Sequence, residues 1–188
     1  MRIISGFAKG KKIQIPTNKK TRPLKDMVKE SIFNIIEHSN LVSLKFNECI
    51  VLDLFSGVGS FGLEAISRGA KKVLFFEEFK PVLDILNKNI QALSFNKHAE
   101  IYNKNIYSGN NFQNLNEKVD LVFIDPPFRE EKIKILLEML ANTKIVSKKS
   151  LIIIHRHKKT FDEFGKKFKI LREETYGSSK IIFGNIIF

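Results

Sequence analysis

Residues 51–62 read VLDLFSGVGSFG, an apolar stretch that reaches an acid and then runs into closely spaced glycines. The pattern predicts a short buried strand at residues 50–52 and a helix at residues 60–68. Three glycines at the junction match G-x-G-x-x-G, in which the chain turns tightly and approaches a ligand: Gly57, Gly59 and Gly62. By itself, this loop also fits dinucleotide-binding enzymes.

Beyond this loop, apolar strands alternate with helical segments. The predicted strands lie at 73–76, 99–102, 119–124 and 151–154, and the predicted helices at 81–93 and 130–141. Continuous apolar strands that alternate with helices indicate a parallel sheet covered on both faces. Two last segments, 168–171 and 180–187, have no helix between them and predict an antiparallel pair at the sheet edge. The predicted fold class is α/β, a doubly wound sheet with an antiparallel C-terminal strand.

The start of the chain has a different pattern. Residues 2–15 predict a β-hairpin that turns at Gly10. Apolar residues then recur at helical spacing, which predicts an amphipathic helix over 24–38. We therefore predict an N-terminal extension, residues 1–40, attached to a main domain, residues 41–188.

The composition is that of a globular protein with one ordinary core. The chain has 188 residues, of which 43% are hydrophobic and 28% charged. The sequence has no apolar run long enough to span a bilayer and no secretory signal. Its single cysteine, Cys49, excludes an internal disulfide and a cysteine zinc cluster. We expect a cytoplasmic protein.

The positive charge is concentrated in two segments. The net charge is +12, and residues 1–30 and 155–172 carry +7 and +5 of it. Clusters of this kind suit a polyanion, because each neutralised phosphate releases counterions. His155 and His157 lie in the second segment, and we interpret them as part of a solvated basic face. We predict no metal site.

Acids stand at the ends of three predicted strands. Asp53 precedes the glycines, Glu77 follows 24 residues later, and Asp125 ends the fourth strand. Since ligands of open α/β sheets bind beyond the carboxyl ends of the strands, these acids should converge on one crevice. Glu77 has about the spacing of an acid that binds ribose hydroxyls. Asp53 would oppose a pyrophosphate but could pair with an ammonium. S-adenosylmethionine, with its ribose, adenine and zwitterionic tail, satisfies these conditions.

Residues 122–129 read VFIDPPFR, and the tetrapeptide Asp-Pro-Pro-Phe follows the fourth strand. This motif is typical of S-adenosylmethionine-dependent methyltransferases that act on exocyclic amines of bases. More narrowly, the chain resembles the RsmD family of bacterial 16S ribosomal RNA guanine-N2 methyltransferases. The resemblance runs nearly end to end, through MRIISGFAKGKKI, TRPLKDMVKESIFNII, the glycine loop, DPPF and YGSSKI. It implies a seven-stranded Rossmann-like sheet, S-adenosylmethionine as donor and a guanine of small-subunit RNA as acceptor.

The resemblance also implies roles for particular residues. Asp125, Pro126, Pro127 and Phe128 would form the catalytic segment, in which Asp125 accepts a hydrogen bond from the guanine amine and Phe128 stacks on the base. Candidate cofactor-binding residues are Asp53, Phe55, Ser56, Gly57, Gly59, Glu77, Asn105 and Ile106. Candidate RNA-binding residues are Lys9, Lys11, Lys12 and Arg22. We expect a monomer that acts on 16S RNA, within a small-subunit assembly particle.

Several alternatives remain open at the level of sequence. A DNA base-amine methyltransferase shares the Asp-Pro-Pro-Phe motif, but the chain lacks room for a DNA target-recognition domain. A protein glutamine methyltransferase shares the motif too, and the positive charge argues against it. An NAD-dependent enzyme would leave Asp125 to Phe128 unexplained. A non-catalytic RNA-binding protein that retains the fold would not need acids at three strand ends.

Overall fold

The computed structural model describes residues 1–16, 24–39, 44–108, 112, 115–127 and 129–188. The helices are α1 (Asp26–His38), α2 (Ser60–Ser67), α3 (Lys80–Leu93) and α4 (Ile133–Ala141), and a short 3-10 helix spans Phe46–Glu48. The strands are β1 (Ile50–Leu54), β2 (Lys72–Phe76), β3 (Ala99–Tyr102), β4 (Leu121–Ile124), β5 (Leu151–His157), β6 (Phe168–Tyr176) and β7 (Ser179–Ile186).

The strands form one seven-stranded sheet in the order β3-β2-β1-β4-β5-β7-β6. The five strands from β3 to β5 are parallel, β7 runs antiparallel to β5, and β6 pairs antiparallel with β7 at the edge. This arrangement confirms the predicted α/β fold class. Strand β5 is longer than predicted and includes both of its histidines.

Alternate residues of the central strands enter two separate cores, as expected for a sheet covered on both faces. In β1, Val51 faces the core that contains α1, α2 and α3, and Leu52 faces the core that contains α4. Both residues are fully buried. Among the described residues, no helix is both long and apolar enough to cross a membrane.

The N-terminal segment packs against α2 and into the first core. Ile3, Ala8 and Ile13 are buried there. The predicted hairpin is reduced to a single antiparallel bridge, between Arg2 and Lys12. The Ile3 and Ile13 amides bond across the hairpin, to the carbonyls of Lys11 and Met1, whereas the Ile4 and Ser5 amides bond to α2. The proposed division of the chain after residue 40 falls outside the described residues.

The sheet reverses its order at β1, which has β2 on one side and β4 on the other. The register pairs Leu54 of β1 with both Phe76 of β2 and Ile124 of β4. The three strands therefore end at the same level. A crevice opens at such a switch point, beyond the carboxyl ends of the strands.

Candidate active site

The glycine loop joins β1 to α2 at the switch point. Gly57 has a φ of +56°, a left-handed conformation that glycine adopts without steric cost. A Cβ built on Gly57 would meet no described atom within 4 Å, so a ligand can approach the backbone here. Gly62, by contrast, packs on β2, where a Cβ would lie 2.3 Å from the Phe75 ring. The two glycines thus serve ligand approach and helix packing, respectively.

Phe55 and Ser56 carry two further signs of a binding site. Phe55 has a φ of +58°, which is rare for a residue with a side chain and is often found where function requires it. Its ring centroid lies 6.2 Å from that of Tyr107. The Ser56 hydroxyl is buried and has no hydrogen-bond partner among the described residues. A polar group left in this state is suited to bond with a ligand.

Three carboxylates meet beside this loop, as the sequence predicted. Asp53 is 1% exposed and accepts a hydrogen bond from the Gly62 amide at 2.9 Å. Glu77 accepts one from the Gly57 amide at 2.8 Å. Burial raises the pKa of Asp53 from 3.8 to about 8, and the charges of Asp125 and Glu77 add to this rise, whereas the Gly62 amide opposes it. A cation bound in the crevice would therefore stabilise the ionised form of Asp53.

The raised pKa of Asp53 predicts a pH-dependent stability of the ligand-free protein. Between about pH 4 and pH 8 the unfolded chain loses the Asp53 proton and the folded chain keeps it, so the free energy of unfolding should fall as pH rises. Asp53→Asn should remove this fall, because asparagine does not titrate. Urea unfolding at pH 5 and pH 8 measures it. Asp84→Asn, at an exposed acid of α3, is the control. The prediction would be contradicted if Asp53→Asn and wild type differed in free energy of unfolding by the same amount at pH 5 and at pH 8.

Asn105 and Ile106 follow β3, at the same end of the sheet as the glycine loop. The Asn105 side chain donates a hydrogen bond to Glu78 at 2.8 Å and accepts one from the Tyr107 amide at 2.8 Å. Ile106 is 5% exposed and belongs to the second core. The Asn105 amide thus shapes the turn after β3.

Asp125 lies directly after β4, and its Oδ1 is 2.8 Å from Nδ1 of His155. The Nε2 atom of the same ring is 2.9 Å from Oγ of Ser179. The interpretation of His155 as part of a solvated basic face is therefore wrong. The missed signal was register: Ile124 pairs with Ile154, so the next residue of each strand had to be a neighbour. Within the described chain, no group of His, Cys, Asp or Glu could hold a metal ion.

The segment after Asp125 is held by hydrogen bonds from an arginine that the sequence analysis did not identify. Pro126 is buried, Pro127 is exposed, and Phe128 lies outside the described residues. The guanidinium of Arg156, only 5% exposed, donates to the carbonyl of Glu130 at 2.6 Å and to that of Pro127 at 3.4 Å. Arg156 therefore ties the proline segment to β5.

Two of the candidate RNA-binding residues, Lys9 and Lys11, lie at the hairpin tip, apart from the carboxylates. The hairpin tip bonds to Ser67 at the C-terminal end of α2, whereas the glycine loop precedes its N-terminal end. The eight residues of α2 span about 12 Å. Lys9 and Lys11 flank the tip, and Lys12 is exposed in the hairpin bridge. Arg22 lies outside the described residues.

Comparison with known sequences assigns the chain to a family. A family model described as Conserved hypothetical protein 95 matches residues 1–185. The chain belongs to this family, the RsmD family. Ribosomal RNA small subunit methyltransferase D of Haemophilus influenzae is 33% identical over 178 residues, which cover 94% of this chain and 89% of that protein. These matches confirm the resemblance drawn from the sequence motifs.

Solved structures extend the RsmD family assignment to the fold. The structure of yhhF from Escherichia coli matches with a TM-score of 0.80 and 25% identity, and the match covers 99% of this chain and 97% of that one. An RNA methyltransferase from Salinibacter ruber, solved in complex with S-adenosyl-L-homocysteine, matches with a TM-score of 0.63 and 15% identity over 88% of this chain and 94% of that one. The latter likeness shows the fold alone. The sheet is thus the predicted Rossmann-like methyltransferase sheet.

Proposed function

We propose that this protein transfers a methyl group from S-adenosylmethionine to the exocyclic N2 amine of a guanine in 16S ribosomal RNA. The observation that carries the proposal is the position of Asp125, next to the acidic crevice and oriented by His155. The name of the Haemophilus influenzae relative supports a small-subunit RNA substrate. We propose a cytoplasmic monomer that acts on RNA in a small-subunit assembly particle.

The residues around the glycine loop fit the proposed methyl donor. A sulfonium and an ammonium would stabilise the ionised form of Asp53, and the Ser56 hydroxyl, which has no partner among the described residues, suits a polar ligand atom. Oε1 of Glu77 accepts the amides of Glu78 and Phe79, whereas Oε2 accepts only the Gly57 amide and keeps a lone pair for a ribose hydroxyl. When bound, S-adenosylmethionine supplies an electrophilic methyl group. The proposed binding residues are Asp53, Phe55, Ser56, Gly57, Gly59, Glu77, Asn105 and Ile106.

The catalytic segment would work mainly by positioning the amine. A guanine amine is a weak nucleophile because its lone pair is delocalised into the ring. Asp125 would accept one amine hydrogen and the Pro126 carbonyl the other, since proline offers no competing N–H donor. The nitrogen would gain the methyl carbon as the bond from that carbon to the donor sulfur breaks, which leaves S-adenosylhomocysteine, and would lose a proton that Asp125 accepts and passes to solvent. Phe128 would stack on the base once it is flipped out.

The substrate is tested by mapping modified guanosines in 16S RNA from cells with and without this protein. One N2-methylguanosine should be lost in the deletion strain. Loss of a methylated base from DNA or another RNA instead would contradict the proposed substrate. The donor is tested by calorimetry, in which S-adenosylhomocysteine should bind and NAD should not. The reverse result would contradict the proposed donor and favour a dinucleotide enzyme.

A further inference from the structure

We propose that the loop after β5, residues 158–161, is a second RNA contact site that binds the nucleotides next to the methylated guanine. We call it the β5 loop. Two adjacent lysines would contact the phosphates, and Phe161 would stack on an unpaired base. The inference rests on the proposed function and adds a substrate contact outside the candidate RNA-binding residues.

The β5 loop and Asp125 lie at the same end of the sheet, beyond the carboxyl ends of the parallel strands. It leaves the carboxyl end of β5, which is the strand that pairs with β4. Arg156 links the two segments, because its guanidinium contacts the carbonyls of Pro127 and Glu130 on one side and the carboxylate of Asp162 on the other, at 2.9–3.0 Å. RNA held by the β5 loop would therefore be held in a fixed relation to the proline segment.

The backbone of the β5 loop is anchored, while three of its four side chains face solvent. The Lys158 amide donates to the Ser178 carbonyl at 2.9 Å, and the Thr160 carbonyl accepts a hydrogen bond from Lys180 at 2.8 Å. Lys158 and Lys159 are exposed, and the exposure of Phe161 is 101%. An aromatic ring held in water beside two cations is the combination that stacks on bases and neutralises phosphates in single-stranded nucleic acid.

The position of the β5 loop distinguishes it from the hairpin tip and from another exposed lysine pair. The hairpin tip lies by the C-terminal end of α2, away from the carboxylates. Lys148 and Lys149 form a second exposed lysine pair, which precedes β5 and therefore lies at the opposite end of this strand. The two pairs are separated by the length of β5, about 23 Å. The positive charge of the β5 loop complements RNA phosphates at the end of the sheet where Asp125 lies, which favours this loop as the RNA contact.

The two lysine pairs provide a matched experiment. Lys158→Glu/Lys159→Glu and Lys148→Glu/Lys149→Glu change the net charge of the protein equally, at opposite ends of one strand. Methyl transfer is measured with two substrates, naked 16S RNA and small ribosomal subunits, both from cells that lack this protein. The first variant should raise the KM for RNA about tenfold and weaken its salt dependence, with unchanged affinity for S-adenosylhomocysteine. The second should stay within about twofold of wild type, since it lies far beyond a Debye length of about 8 Å.

Phe161→Ala tests the stacking contact by itself. It should raise the KM for RNA about tenfold, which corresponds to the loss of one base–aromatic stack. Phe188→Ala, which removes an exposed ring at the opposite edge, should leave the KM unchanged. Equal effects of the two lysine variants, or no effect of Phe161→Ala, would overturn the inference. If wild type does not methylate RNA, the proposed function fails, and fluorescence anisotropy with 16S RNA still decides whether the β5 loop binds it.

Discussion

Asp125→Ala is expected to lower kcat for methyl transfer about a thousandfold, the scale of losing a preorganised electrostatic contact in a transition state. The alanine removes the oxygen that would accept the amine hydrogen and the base that would take the proton. It also removes a negative charge that helps to raise the pKa of Asp53. Affinity for S-adenosylhomocysteine should therefore be preserved or slightly increased. Single-turnover methylation and calorimetry measure the two effects separately.

Two control variants make this result specific to the Asp125 carboxylate. Asp125→Asn keeps one acceptor oxygen but cannot take a proton, so its loss of activity should be smaller than that of Asp125→Ala. Asp84→Ala removes an exposed acid from α3 and should leave kcat unchanged. Activity within tenfold of wild type in Asp125→Ala would show that another group accepts the amine hydrogen.

Glu64→Ala is expected to lower the free energy of unfolding by about 3–5 kcal/mol, which is the usual effect of removing one member of a buried ion pair. Glu64 is fully buried in α2 and accepts hydrogen bonds from the amides of Ile4 and Ser5 at 2.8 and 2.9 Å. It also lies 3.5 Å from the buried ammonium of Lys29 and 3.0 Å from Arg68. Burial already lowers the pKa of Lys29, and loss of Glu64 would lower this pKa further.

Urea unfolding measures the stability of this variant against two others. Glu64→Gln retains one acceptor oxygen and should be less destabilising than Glu64→Ala. Glu37→Gln removes the other, partly exposed carboxylate bound to Arg68 and should cost about 0.5 kcal/mol. A loss below about 1 kcal/mol in Glu64→Ala would mean that water replaces the buried carboxylate.

The fold was predictable because its signals are local. Strand β3 was predicted with the bounds observed, and α3 began within one residue of its predicted start at Pro81. The hairpin at residues 2–15 was harder, because several of its backbone amides bond to α2, some 60 residues away along the chain. Alternating apolar residues do not reveal a backbone partner so distant in sequence.

The candidate site was predictable where it depends on strand ends. Asp53, Glu77 and Asp125 could be brought together from topology alone. His155 was misinterpreted because the end of β5 was placed three residues too early, and strand boundaries are the least certain part of a pattern. The link from Arg156 to the proline segment was missed because its partners there are backbone carbonyls, which every residue type has.

The bonds between the N-terminal segment and α2 and α3 have a consequence for synthesis. The amides of Ile4 and Ser5 are separated by about 60 residues in sequence from their partner Glu64. The Gln14 amide is separated by 75 residues from Asn89, to whose side chain it donates a hydrogen bond at 2.8 Å. On the ribosome, these amides therefore lack their α2 and α3 partners until about 60 to 75 later residues have been added. The apolar residues of this segment are then a target for chaperones, and closure of the first core is a late step in the biogenesis of the protein.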